Sequence, residues 1–152
     1  MTDNPLFQDQ ESFMAWMSKM EMAIGKLLAL VGRDVAARLD FQVDSLDVLE
    51  AWMLGTFSDY RELLSDENVA AYDGAARYFG EVLRRTVEGE WILCLEDERS
   101  SNYGYPAIDN YPGRGARIVP HFCVTATIDR RRGNYLSSIV RSTQQRPEPP
   151  DN

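Results

Sequence analysis

The side chains that could do chemistry in this sequence are few and far apart. The single histidine, His121, follows Pro120, a setting typical of a partly buried hydrogen-bonding residue rather than a catalytic base. The two cysteines, Cys94 and Cys123, are separated by 28 residues and lie in apolar segments, as small core residues do. A zinc site requires three or four soft ligands, so we expect no metal and no other cofactor.

Carboxylates are the remaining groups that could act in catalysis, because a pair of them is sufficient for glycoside hydrolysis. Glu96, Asp97 and Glu98 follow an apolar run, and Glu81 lies beside Gly80 in a helical segment. Three consecutive acids more often form a solvated turn, and no spacing sets a second acid against Glu81. A small-molecule-binding protein or hydrolase using Glu81 and Glu96–Glu98 therefore stays an alternative, while our main expectation is a protein without enzymatic activity.

Signatures of nucleotide and nucleic-acid chemistry are weak in this chain. It has no nucleophile elbow and no phosphate loop, and the fragment Gly113–Arg117 has too few glycines for a dinucleotide site. Arg130, Arg131 and Arg132 are adjacent, so on a helix they point in different directions. With a sequence pI near 4.6, we expect no nucleic-acid partner.

The strongest signal is an acidic segment. Residues 40–73 contain nine acids and one base, Arg61, an imbalance equal to the whole net charge of −8. Such a segment can be a merely solubilising surface, or it can speed the encounter with a basic partner. We predict that seven of these acids bind a protein partner: Asp44, Asp47, Glu50, Asp59, Glu62, Asp66 and Glu67.

These residues must be positioned by elements organised around Ala70–Leu95. Its apolar residues recur at helical spacing up to Gly89, which we expect to end the helix, and Trp91–Leu95 is then typical of a buried strand. Gly74 and Gly80 are poor helix residues, which indicates close approach of other parts of the chain. This helix-to-strand segment is the central element of the predicted fold.

The rest of the chain predicts an α+β fold, with N-terminal helices and the long central helix packed on a small, mostly antiparallel sheet. A helix capped at Asp9 or Ser12 and running toward Gly32 precedes a short strand at Ala37–Val43. Helices follow near residues 45–55 and 58–64, and strands at Tyr105–Ile108 and Ala116–Val119. The segment from Pro120 fits strand or helix; we favour a helix, with a second at Tyr135–Val140. We expect one domain over residues 1–143 and a disordered tail at 144–152.

The chain also carries signals about its compartment. Its N-terminal residues lack the basic and apolar regions of a signal peptide, and the longest apolar stretch is interrupted by Lys26 and Arg33. A single optional pair of cysteines suits a reducing environment. We therefore expect a cytoplasmic protein that does not associate with membranes.

Short motifs in the sequence resemble those of small bacterial proteins of unknown function. The pattern is a Y-x-G-E-V-x-R-R helix followed by G-x-W, matched here by Tyr78, Gly80, Glu81, Arg84, Arg85 and Trp91, together with Ser45-Leu46, Glu50 and Pro120. It spans roughly residues 39–140. The phenylalanine usual after the late proline is replaced by His121. Several members of this group look like immunity proteins, encoded beside secreted toxins of bacterial competition systems.

The resemblance and the acidic segment together predict a non-catalytic protein-binding protein. Its most specific form is a bacterial immunity protein that occludes a basic toxin domain through the seven acids named above. A homo-oligomeric structural or adaptor protein, pairing through the methionine- and tryptophan-rich N-terminal helix, is a further alternative. The sequence leaves the oligomeric state open.

Overall fold

The structure is a computed structural model, and it describes residues 5–113 and 115–144. The described residues form eight α-helices, one 3-10 turn and one two-stranded sheet, the α+β arrangement predicted from the sequence. The predicted tail lies outside these residues except for Gln144, which ends the last helix. No helix in the described part of the chain is long and apolar enough to cross a membrane.

The predicted N-terminal helix is divided in two. Helix α1 (Gln10–Ser18) is capped by Asp9, whose side chain accepts a hydrogen bond from the Ser12 amide, and α2 (Met20–Val31) begins after a break at Lys19. The short helix α3 (Arg33–Ala36) follows Gly32, whose positive φ of 90° lets the chain turn there. The apolar pattern is continuous in the sequence, but the break divides it between two helices. Of these, α2 packs against the central helix.

The strand predicted at Ala37–Val43 is absent, and these residues form turns instead. Phe41 has a positive φ of 65°, its ring packs on Tyr78, and its amide donates to the Tyr78 hydroxyl. The alternation of Leu39, Phe41 and Val43 was therefore misleading, because these residues pack on helices and pair with no neighbouring strand. Helices α4 (Ser45–Thr56) and α5 (Tyr60–Leu63) then follow, as predicted.

A 3-10 turn, η1 (Asp66–Asn68), leads into the central helix α6 (Val69–Val87). Helix α6 packs against α2 and α5 and against the two helices that come later in the chain. Its two glycines allow this packing: a Cβ on Gly74 would lie 2.9 Å from the Leu27 Cβ, and one on Gly80 would lie 2.2 Å from the Trp91 ring. The predicted close approaches are confirmed, although Glu88, not Gly89, takes the left-handed cap position.

Strand β1 (Glu90–Leu93) follows at once and pairs antiparallel with β2 (Pro106–Asp109), with Trp91 opposite Ile108. The predicted third strand at Ala116–Val119 is reduced to a single antiparallel bridge between Ile108 and Ile118. The ambiguous segment after it is a helix, α7 (Pro120–Arg130), with proline in its first turn. The last element is α8 (Tyr135–Gln144), longer at its C-terminus than predicted.

Candidate functional site

Four of the predicted partner-binding acids are exposed on the segment that contains α5 and η1. Asp59 caps α5 by accepting a hydrogen bond from the Glu62 amide at 3.0 Å. Glu62 in turn accepts from the Ser58 amide and hydroxyl, and these bonds hold its pKa below the usual range. Asp66 and Glu67 are exposed at the start of the next turn. Asp59, Glu62, Asp66 and Glu67 are called the acidic strip below.

The other three predicted residues all face α8. Asp44 is exposed but pairs with Arg141, and Asp47 accepts a hydrogen bond from the Ser137 hydroxyl at 2.6 Å. Asp44 and Asp47 therefore already have partners within the chain. Both remain at the surface, exposed and half-buried respectively.

Glu50 does not lie on the predicted binding surface, because its side chain is completely buried. Its two carboxylate oxygens accept hydrogen bonds from the amides of Tyr135 and Leu136, at 3.1 and 3.0 Å. These are the first two residues of α8, so Glu50 caps the N-terminus of that helix and complements its dipole. Glu50 therefore has a structural role, and its buried carboxylate is not available to a partner at the surface.

A cleft of about 440 Å³ opens beside the acidic strip, between α2 and the start of α6. Asp66 and Glu67 line one side of it, and Lys19 and Lys26 also contribute to its lining. Apolar and small residues complete much of the wall: Met22, Ala23, Val69 and Ala70. Asp73 and Arg77, from α6, line it as well.

Asp73 belongs to a polar cluster that the sequence did not predict. Its Oδ1 atom lies 3.0 Å from His121 Nε2 and accepts a hydrogen bond from the Trp16 indole at 3.0 Å. Its Oδ2 atom accepts from the Arg77 guanidinium at 2.6 Å. Burial alone would raise the pKa of Asp73, but these donors outweigh it and lower the pKa to about 2. The carboxylate is thus ionised, so His121 Nε2 is the donor of their shared hydrogen bond.

This cluster holds three helices together. His121 is 1% exposed, as expected for a buried hydrogen-bonding histidine, and its Nδ1 atom has no hydrogen-bond partner among the described residues. The Arg77 guanidinium lies 4.1 Å from the Trp16 ring centroid and donates to the Trp16 carbonyl. Helices α1, α6 and α7 therefore meet at Asp73. A lone histidine after a proline was the one sequence signal for this cluster, and nothing in the sequence linked it to Asp73.

The carboxylates of the hydrolase alternative, Glu81 and Glu96, each bind arginines. Glu81 accepts hydrogen bonds from Arg84 at 2.8 Å and from the Trp91 indole at 2.8 Å. Two hydrogen bonds from Arg117 to Glu96 lower the pKa of Glu96 to about 2. Both carboxylates are thus held by hydrogen bonds from side chains of the same chain. The small-molecule-binding or hydrolase alternative stays a prediction.

The cysteines and the possible metal ligands are the remaining reactive groups. Cys94 is buried and Cys123 half-buried, and both are free thiols. Burial raises the pKa of Cys123 to about 12, which suppresses the reactive thiolate. Within residues 5–113 and 115–144, no group of three histidine, cysteine or acidic side chains is placed to hold a metal ion.

Comparison with known proteins adds no relative. No family model, curated protein or solved structure matches the chain. The resemblance to immunity-like bacterial proteins therefore stays a prediction.

Proposed function

We propose that this chain is a non-catalytic protein-binding protein whose acidic strip contacts a basic surface of its partner. The observation that carries the proposal is the exposure of Asp59, Glu62, Asp66 and Glu67 within nine residues that contain one base, Arg61. Like charges held this close at a surface attract an oppositely charged partner over long range and raise its association rate. Asp44 and Asp47 are also at the surface, but Arg141 and Ser137 already bind them.

Exposed apolar side chains lie in the same stretch of chain and support an interface rather than a merely solubilising surface. Tyr60 is 38% exposed, Leu64 41% and Val69 58%. Protein interfaces combine an apolar centre with a charged rim, and aromatic residues often supply much of the binding energy. Tyr60 and Leu64 are therefore the proposed anchors, and the acids around them set the approach of the partner.

The specific form of the proposal is an immunity protein that occludes a toxin domain in the cytoplasm of the cell that makes both. It is tested with the protein encoded by the adjoining reading frame. If that frame encodes a toxic C-terminal domain, co-expression of this chain should restore growth, and the two proteins should purify as a complex. A neighbour without toxicity, or a toxic neighbour that this chain neither binds nor neutralises, would overturn the immunity assignment.

The proposed role of the acidic strip's charge in partner binding is tested by replacing its carboxylates with amides. These substitutions remove the charge and keep the hydrogen bonds. The variant Asp59→Asn/Glu62→Gln/Asp66→Asn/Glu67→Gln preserves the α5 cap, because asparagine caps as well as aspartate. We expect association in stopped-flow measurements to slow roughly tenfold at low salt and to depend less on salt. Its charge-matched control changes four exposed acids elsewhere: Glu11, Asp34, Glu98 and Asp129. Equal rates for the two variants would contradict a role for the acidic strip.

A further inference from the structure

The cleft beside the acidic strip is lined by side chains of both charge signs and by apolar side chains. Lys19, the residue just before α2, and Lys26, within α2, are seven residues apart and line the same cleft. Asp66 and Glu67 approach the cleft from η1. Met22 and Val69 lie at the cleft and remain 55% and 58% exposed. The surface thus has a basic side on α2 and an acidic side on η1, and each side also carries an apolar residue.

Four charged side chains of this surface have no oppositely charged partner in the described part of the chain. Among the described residues, Lys19, Lys26, Asp66 and Glu67 form no salt bridge, although the two lysines and two acids line one cleft. Asp73 and Arg77, deeper in the same cleft, neutralise each other. The outer charges therefore remain available to a molecule that supplies a negative group on one side and a positive group on the other.

We propose that a second copy of this chain covers the cleft in a two-fold symmetric dimer. A two-fold interface brings the same patch of both subunits together, so the patch must be complementary to itself. Rotation about an axis along the cleft, between its basic and acidic sides, sets Lys19 and Lys26 of each copy against Asp66 and Glu67 of the other. Met22, on the basic side, then packs against the other copy, where its flexible side chain can fill uneven space.

A partner of a single charge sign fits this surface poorly, because either the lysines or the acids would repel it. A second copy carries both rows in the required order. The dimer can be tested separately from the proposed partner, because it depends on Lys19 and Lys26, whereas partner binding also uses Asp59 and Glu62. The two interfaces share Asp66 and Glu67, so a basic partner would compete with the dimer.

Sedimentation velocity over roughly 10–500 µM protein tests the dimer, since small interfaces associate weakly. We expect the wild-type sedimentation coefficient to rise with concentration. Lys19→Glu/Lys26→Glu makes the patch wholly acidic, and Asp66→Lys/Glu67→Lys makes it wholly basic. Each variant alone should stay monomeric, and an equimolar mixture of the two should dimerise, because both sets of contacts are then attractive.

The mixing result separates this dimer from self-association through any other surface, since only the cleft charges differ between the two variants. The control Glu98→Lys/Asp129→Lys changes the net charge as Asp66→Lys/Glu67→Lys does, but away from the cleft, and it should dimerise like wild type. Far-UV circular dichroism checks that every variant is folded. A wild-type chain that is monomeric throughout, variants that still dimerise alone, or a mixture that stays monomeric would each overturn the proposal. Loss of the dimer in Lys19→Glu/Lys26→Glu with partner binding retained would leave the proposed function standing.

Discussion

Gly80, Glu81 and Trp91 pack together as one unit. Because Gly80 has no side chain, the Trp91 ring can lie against the helix, where its indole reaches Glu81. The Trp91 ring occupies the space above Gly80, and its indole N–H donates to Glu81 at 2.8 Å. Arg84 holds the same carboxylate from one helical turn later. The Y-x-G-E-V-x-R-R…G-x-W motif therefore reflects packing between the central helix and the first strand. In the structure its residues hold these two elements together.

Gly80→Ala should destabilise the protein by about 1–3 kcal/mol, because the added methyl overlaps the Trp91 ring and forces it to move. Urea unfolding followed by tryptophan fluorescence measures the change. Gly55→Ala is the matched control, since Gly55 also lies in a helix and a Cβ there meets nothing within 4 Å. That variant should be neutral or up to about 1 kcal/mol more stable. Equal effects at the two glycines would refute the packing role of Gly80.

Asp73 should make the free energy of unfolding depend on pH in the acid range. Its folded-state pKa of about 2 is lower than its usual value of 3.8, so folding favours the ionised form. The resulting contribution, about 2 kcal/mol, is complete above about pH 5 and is lost as the pH falls toward 2. We expect Asp73→Asn to be clearly less stable than wild type near pH 6 in urea unfolding, with the difference shrinking below about pH 4. A difference that stays constant down to pH 2.5 would contradict this role, and exposed Asp129→Asn serves as the control.

At the scale of elements, helix α8 is attached to α4 by polar contacts at three successive levels. Arg141 pairs with Asp44, Ser137 donates to Asp47, and Glu50 caps the first turn. Helix α7 is attached to the other end of α4: Arg131 donates to the carbonyls of Leu54 and Phe57, which α4 itself leaves unpaired. Part of the acidic segment thus serves to assemble helices.

Glu50→Ala should cost roughly 2–4 kcal/mol, because the buried amide of Leu136 and the partly buried amide of Tyr135 lose their acceptors. Glu50→Gln keeps an acceptor oxygen and should lose less. Chemical denaturation gives the free energies of unfolding, and amide hydrogen exchange locates the loss in α8. Glu67→Ala, at an exposed position, should change stability by less than about 0.5 kcal/mol. If Glu50→Ala resembled Glu67→Ala, Glu50 would not be the cap of this helix.

At the scale of the whole molecule, the central helix α6 joins both halves of the chain. It contacts α2 and α5 from the first half and α7, α8 and β2 from the second. A large apolar cluster runs through these elements, from Phe13 in α1 to Val140 in α8. Loss of α6 would therefore expose most of the apolar cluster at once.

We accordingly expect one cooperative unfolding transition, as for a single domain over residues 1–143. Trp16 and Trp91 are buried near α6, whereas Trp52 packs on Phe57 at the far end of α4. Tryptophan fluorescence and far-UV circular dichroism should therefore give the same midpoint in urea. The Trp52→Phe variant restricts fluorescence to Trp16 and Trp91 and should leave the agreement intact. Two separated transitions would show that the halves of the chain unfold independently.

Elements with strong local signals were predictable from the sequence. The helical spacing of α6 and the cap residue Asp9 act within one or two turns, so neighbouring residues contain the information. The strand predicted at Ala37–Val43 failed for the opposite reason. Its alternating pattern is local, but a strand requires a partner, and the tertiary structure offers Tyr78 and helices at that place.

The sequence by itself determined the fold class, the close approaches at Gly74 and Gly80, and the concentration of acids before the central helix. The tertiary structure decided which of those acids are free to meet a partner. It buried Glu50 under α8, paired Asp44 with Arg141, and left Asp59, Glu62, Asp66 and Glu67 exposed. The physical reason is distance along the chain: Glu50 and Leu136 are 86 residues apart, and only folding brings a carboxylate to the amides that it caps.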